Sequence, residues 1–177
     1  MSERGGDKLN DNTVNCRVCQ RPIQAKDSVD RGVGLTCVEH APCKDIATIE
    51  RRDIKYWITE SYEDISTAYF LKRAGNRKLE SAFFGHLATE KAIKAIVAQE
   101  TNEIPPKIHD LIRLAKKARL NLDHAQRTFL VMLNQYEIEG RYPEERQKIL
   151  SKTPEYLFEE ILEKASEFIQ WCTQQIK

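Results

Sequence analysis

Residues 83–109 read FFGHLATEKAIKAIVAQETNEIPPKIH, and the fold turns on this stretch. From Leu79 to Val97, apolar residues spread almost all round a helical wheel. That is the pattern of a central helix, covered on several sides. One narrow stripe is polar: His86, Glu90 and Lys94, at i, i+4 and i+8. Glu four residues ahead of Lys is the favourable order for an ion pair. The row reads either as a solvated seam or as the lining of a groove between two packed subunits. Asn102 closes the helix, and Pro105-Pro106 forbids its continuation.

Working outward, the chain is helical in pattern from about residue 46 onward. A first helix is expected over 46–73, with Ile54, Trp57, Ile58, Ile65, Ala68 and Tyr69 on one face. Gly75 and Asn76 end it. The central helix follows over 78–101. A shorter one is expected over 108–118, turning Ile108, Leu111, Ile112 and Ala115 to the core. Its other side is basic: Lys107, Arg113, Lys116, Lys117 and then Arg119, against Asp110 alone. A fourth is expected over 123–138, with a stripe of Leu122, Ala125, Phe129, Met132, Leu133 and Tyr136 and with Asp123 as its cap. Gly140 and Pro143 end that helix. The last spans 154–176, with Thr153 as cap, Pro154 at its first position and Leu157, Ile161, Ala165, Phe168, Cys172 and Ile176 buried. No strand alternation appears after residue 50. The fold class is therefore all-α, an up-and-down bundle of four or five helices over residues 46–177.

Composition bounds the rest. A chain of 177 residues fits one domain with an appendage, and 41% hydrophobic residues suffice for a core. A formal net charge of +1 argues against a polyanion binder acting with its whole surface, but leaves room for a local basic face. No apolar run is long enough to span a bilayer, and the polar start MSERGGDKLNDN lacks a signal-peptide apolar region. A cytoplasmic protein with no membrane association is the expectation. Residues 1–14 should be a disordered tail.

Residues 15–44 differ in kind. Four of the five cysteines crowd between Cys16 and Cys43, which in a reducing compartment points to metal more than to disulfides. Cys16 and Cys19 form a C-x2-C pair; Cys37 and His40 form a C-x2-H pair after seventeen intervening residues. That supplies the ligand count of a closed tetrahedral zinc site, with Cys43 as the alternative fourth ligand. With so few apolar residues, the segment would need a structural zinc to fold. The stretch CRVCQRP…SVDRGVGLTC also resembles a small zinc-knuckle family.

Three segments, ATEKAIKAI (88–96), IPPKIHDLI (104–112) and QYEIEGRYP (135–143), resemble the HEPN domain family in the right order. The resemblance covers roughly residues 51–177. It implies an all-helical bundle, a homodimer, and association with nucleic acid or nucleotide. The Arg141-Tyr142-Pro143 segment looks like the form found beside minimal nucleotidyltransferases, which implies such a partner. Arg141 and Tyr142 would then contact nucleotide or RNA, with Lys107, Arg113, Lys116 and Lys117 as the basic face. A second implication is a metal-independent endoribonuclease, of the kind that serves as the toxin of a toxin–antitoxin pair. Its Arg119 and His124 match the family's Arg-to-His spacing, although Leu120 follows the Arg where a polar residue is commoner. There the Arg would stabilise phosphorane charge and the His would move a proton at the ribose. A third class is a protein-interaction adaptor docking through the zinc knuckle. His109 could hold the turn after Pro-Pro by bonding Glu90 or a neighbouring subunit.

Overall fold

The computed structural model describes residues 49–74, 77–137 and 143–177. Its elements are α1 (Arg52–Arg73), α2 (Lys78–Thr101), α3 (Leu111–Lys117), α4 (His124–Leu133), a 3-10 turn (Asn134–Tyr136), α5 (Pro143–Lys152) and α6 (Glu155–Gln174). Among the described residues there is no strand.

The central place expected for α2 is what its burial shows. Leu79, Ala82, Ala88, Ala92, Ile93 and every residue from Ala95 to Ala98 are buried, on all sides of the helix. α1 packs along it on one side and α6 on another, with α3 and the 3-10 turn closing the remainder. At Gly85, α2 and α6 come close: a Cβ there would lie 3.2 Å from Leu162 Cδ2. Small residues along α2 permit these approaches, and larger ones from the neighbours fill the gaps: Ile58 and Ile65 of α1, Ile161, Leu162 and Ile169 of α6. Hydroxyl pairs cross the core without leaving polar atoms bare. Tyr62 meets Thr173 at 3.2 Å, Tyr69 meets Ser166 at 3.1 Å, and the Ser61 hydroxyl donates to the Ala88 carbonyl.

Several boundaries move, each for a local reason. α1 begins at Arg52; Arg51 ahead of it is extended and reaches across to Asn102 Oδ1 at 2.6 Å, tying the start of α1 to the end of α2. Asn102 takes the left-handed conformation, φ 55°, that ends α2 as expected. α3 begins at Leu111 because Asp110 serves as its cap, its carboxylate accepting from the Arg113 N–H at 2.9 Å. α4 carries the expected Asp123 cap as a full capping box with Gln126. It stops at Leu133, where the chain tightens into the 3-10 turn, and the Asn134 side-chain oxygen accepts from the Leu111 N–H at 2.9 Å. Ala125, expected in the α4 stripe, is exposed. Thr153 does not cap α6; Pro154 holds the cap position with no side-chain bond. α5 was not expected at all. Its cue was Pro143 followed by Glu144 and Glu145, a good first turn in front of a weak apolar stripe in which Ile149 is buried and Leu150 exposed.

Candidate functional site

Two polar features stand out, one buried along α2 and one exposed on α3 and α4. The first is the His86, Glu90, Lys94 row. It is neither a solvated seam nor open for a second subunit to seal: relative exposures are 1%, 2% and 7% within the single chain. The expectation failed because the segment after Pro105-Pro106 folds back over α2. Lys94 Nζ lies 2.6 Å from Glu90 Oε1 and stands 5.3 Å over the Trp57 ring of α1. The other Glu90 oxygen is 3.1 Å from His109 Nδ1. His109 thus bonds Glu90 of its own chain. The His109 side chain is 56% exposed, against 3% for Glu90, so the imidazole stands at the mouth of a buried ionic row.

His86 lies deeper. Burial pushes its imidazole below the ordinary value of 6.5, against the pull of Glu90 and of polar contacts from Asn134 and the His109 backbone. No hydrogen bond of good geometry reaches its Nε2. His86 is therefore a buried imidazole whose charged form is disfavoured.

The second feature is the basic surface of α3 and α4. Lys107, Arg113, Lys116, Lys117 and Arg119 are all exposed, and Arg127 of α4 adds a sixth cation. Arg119 sits at φ 52°, in the left-handed region. Its N–H donates to the Lys116 carbonyl and the Leu120 N–H donates to the Ala115 carbonyl. This pair of bonds is the Schellman closure of α3, and glycine is the usual residue at the position Arg119 takes. The exposed His124 is the first residue of α4, five positions on. Arg119 and His124 thus stand on either side of the α3–α4 loop.

Arg141 and Tyr142 lie outside the described residues, as do Cys16, Cys19, Cys37, His40 and Cys43. Among the described residues no group of three or more His, Cys, Asp or Glu could hold a metal ion. Cys172 is a buried free thiol, and burial pushes its pKa well up. Trp57 and Asn134 were not expected as walls of the polar row; the spacing of Trp57 from Ile54 and Ile58 had placed it on the buried face without showing which charge it would cover.

The described helices, the Ala88–Ile96 segment on the buried α2 and the Pro105-Pro106 break agree with a family-wide signature, the HEPN domain, which matches residues 54–176. The chain belongs to the HEPN domain family. No curated protein and no solved structure matches it. HEPN membership supports a nucleotide- or RNA-associated module in general terms, and HEPN domains commonly dimerise. No described helix of this HEPN protein is long and apolar enough to cross a membrane.

Proposed function

We propose that this HEPN protein is a nucleic-acid- or nucleotide-associated module that holds a polyanion on its α3–α4 surface. One observation carries the reading. Residues 107–127 hold six Lys or Arg and two acidic residues, and none of the six cations forms an ion pair with a described residue. Both acids are occupied: Asp110 and Asp123 each accept a backbone N–H as helix caps. A carboxylate committed to a helix start does not reach out to neutralise a neighbour. The surface keeps its positive field for a ligand, and phosphate is the ligand that suits it. Aromatic residues do not interleave with the cations, so backbone contact rather than base stacking is the expected mode. The test is binding of a single-stranded RNA across a salt series, with Lys116→Ala/Lys117→Ala as the comparison. Loss of affinity with salt and with the two lysines supports the reading; no association at low salt removes it.

A second reading has one observation of its own. Arg119 occupies a backbone conformation that costs a side-chain-bearing residue about 1 kcal/mol. Strain of this kind gathers at sites where a side chain must point in one direction. In a metal-independent ribonuclease, Arg119 would hold the phosphoryl oxygens and His124 would take the ribose 2′-hydroxyl proton, with a homodimer bringing two such pairs to one cleft. RNA cleavage that survives His124→Ala would discard this assignment. Under the first reading Arg141 and Tyr142 would add contacts to nucleotide and a nucleotidyltransferase would be the protein partner; under either, residues 15–44 would carry a structural zinc. An adaptor role predicts neither binding nor cleavage, and a partner lost on deleting residues 1–45.

A further inference from the structure

The Glu90–Lys94 pair needs an explanation that stability does not provide. Removing two charges from water is expensive, and an apolar pair of similar volume often serves a core as well. What the pair does here is define His109. Lys94 lies on one Glu90 oxygen at 2.6 Å, and the other oxygen of a carboxylate paired with an ammonium accepts. His109 Nδ1, 3.1 Å from that oxygen, must be the donor. In the neutral ring the proton is thereby fixed on Nδ1, and Nε2 carries a lone pair. The ring is more than half exposed, with the exposed Lys107 two residues before it and the exposed Arg113 four residues after.

Phosphate oxygens accept hydrogen bonds and have nothing to offer a bare Nε2. A hydroxyl has. The backbone hydroxyl available on a nucleic acid is the ribose 2′-OH, present in RNA and absent from DNA. We infer that His109 Nε2 accepts a hydrogen bond from a ribose 2′-hydroxyl of a strand lying on the α3–α4 surface, and so makes that surface prefer RNA to DNA. Glu90 and Lys94 act through His109 as positioning residues. The inference rests on the polyanion reading above and adds the choice between the two sugars.

Two measurements on the full chain test it. The first needs no ligand: nitrogen-15 NMR of the histidine side chains, at about pH 8 where an ordinary imidazole is neutral, reads the tautomer directly. Nδ1–H is expected for His109, and Nε2–H would overturn the proposal. The second compares RNA and DNA oligonucleotides of one sequence at that pH. The chain should favour RNA by roughly fivefold, the ratio a single hydrogen bond gives. In His109→Phe the ratio should fall to near one, with DNA affinity unchanged. Equal affinity for the two strands in the unmodified chain, or equal loss of both in the variant, would overturn the inference while leaving the basic surface standing. If neither strand binds at low salt, the surface itself falls and the sugar contact with it.

Discussion

Lys94 Nζ lies 2.6 Å from Glu90 Oε1, with side-chain exposures of 8% and 3%, one helical turn apart on the helix at the centre of the bundle. Glu90 meets His109 as well, so three charged or chargeable groups form one chain leading from the core to the surface. Cutting the buried pair from one side leaves a charge without a partner. Lys94→Ala or Glu90→Ala should destabilise the chain by about 3–5 kcal/mol, whereas Glu90→Leu with Lys94→Met together should cost far less. Urea unfolding of the three variants decides it. A double variant as unstable as the sum of the singles would show that the two do not act as a pair.

Stability should depend on pH through His86. Burial pushes its pKa below the ordinary 6.5, so as the pH falls the unfolded chain takes up a proton before the folded chain does. The unfolded state then holds more protons, and stability drops as pH decreases through 6.5, by at most about 1.4 kcal/mol per pH unit for one group. Glu90 and Asn134 face the ring and soften the drop without reversing it, while the charge of His109 adds to it and its backbone opposes it. The carboxyl of Asp64, pushed up by burial against the pull of Lys91, works in the opposite direction but only above 3.8 in the acid range. Melting temperatures between about pH 5.5 and 7.5 should fall toward acid, and His86→Gln should flatten the curve.

Arg119 should trade stability against binding. Arg119→Gly removes the left-handed strain at the end of α3 and should stabilise the bundle by something under about 1 kcal/mol, after the extra freedom glycine has when unfolded. The same change should weaken RNA binding. Thermal unfolding and RNA titration of one variant check both directions, and a variant that loses stability would contradict the strain.

Asp123 closes a capping box on α4, so Asp123→Ala should cost about 1 kcal/mol. It would also unmask the basic surface by one charge, so RNA affinity should hold or rise. A loss of affinity matching the loss of stability would argue that the hairpin unfolds before it binds.

For residues 15–44, purified full-length protein is expected to carry zinc, and Cys16→Ser with Cys19→Ser should abolish it. Elemental analysis reads this directly; metal at background in the unmodified chain would end the zinc proposal.

The helices were legible because their apolar residues recur at three and four, and α2 was legible as central because that pattern runs all the way round it. The Pro-Pro break and Asn102 stood where the structure has them. What a single sequence conceals is where a turn folds back. His86, Glu90 and Lys94 look like a wet stripe on α2 taken alone. They are dry because Trp57, Asn134 and His109, from three other segments, close over them. Another long-range contact was equally hidden: no local feature of Asn134 tells that its side chain will be taken by the Leu111 N–H, 23 residues away. α5 escaped notice because its apolar face is thin, even though Pro143 and the two glutamates marked its start. The basic surface was visible as a charge imbalance. Asp123 was legible as a cap, but Asp110 was not, because α3 was expected to begin at 108 and it begins at Leu111.

The central claim is that α3 and α4 together present cations free to meet phosphate. Its most direct test is the slope of log affinity against log salt for a single-stranded RNA, in the unmodified chain and in Lys116→Ala/Lys117→Ala. Each phosphate contact on a single strand contributes about 0.7 to the slope, so the double variant should bind more weakly and its slope should be shallower by roughly 1.4. A slope near zero in the unmodified chain, or one that the two substitutions leave unchanged, would contradict the account.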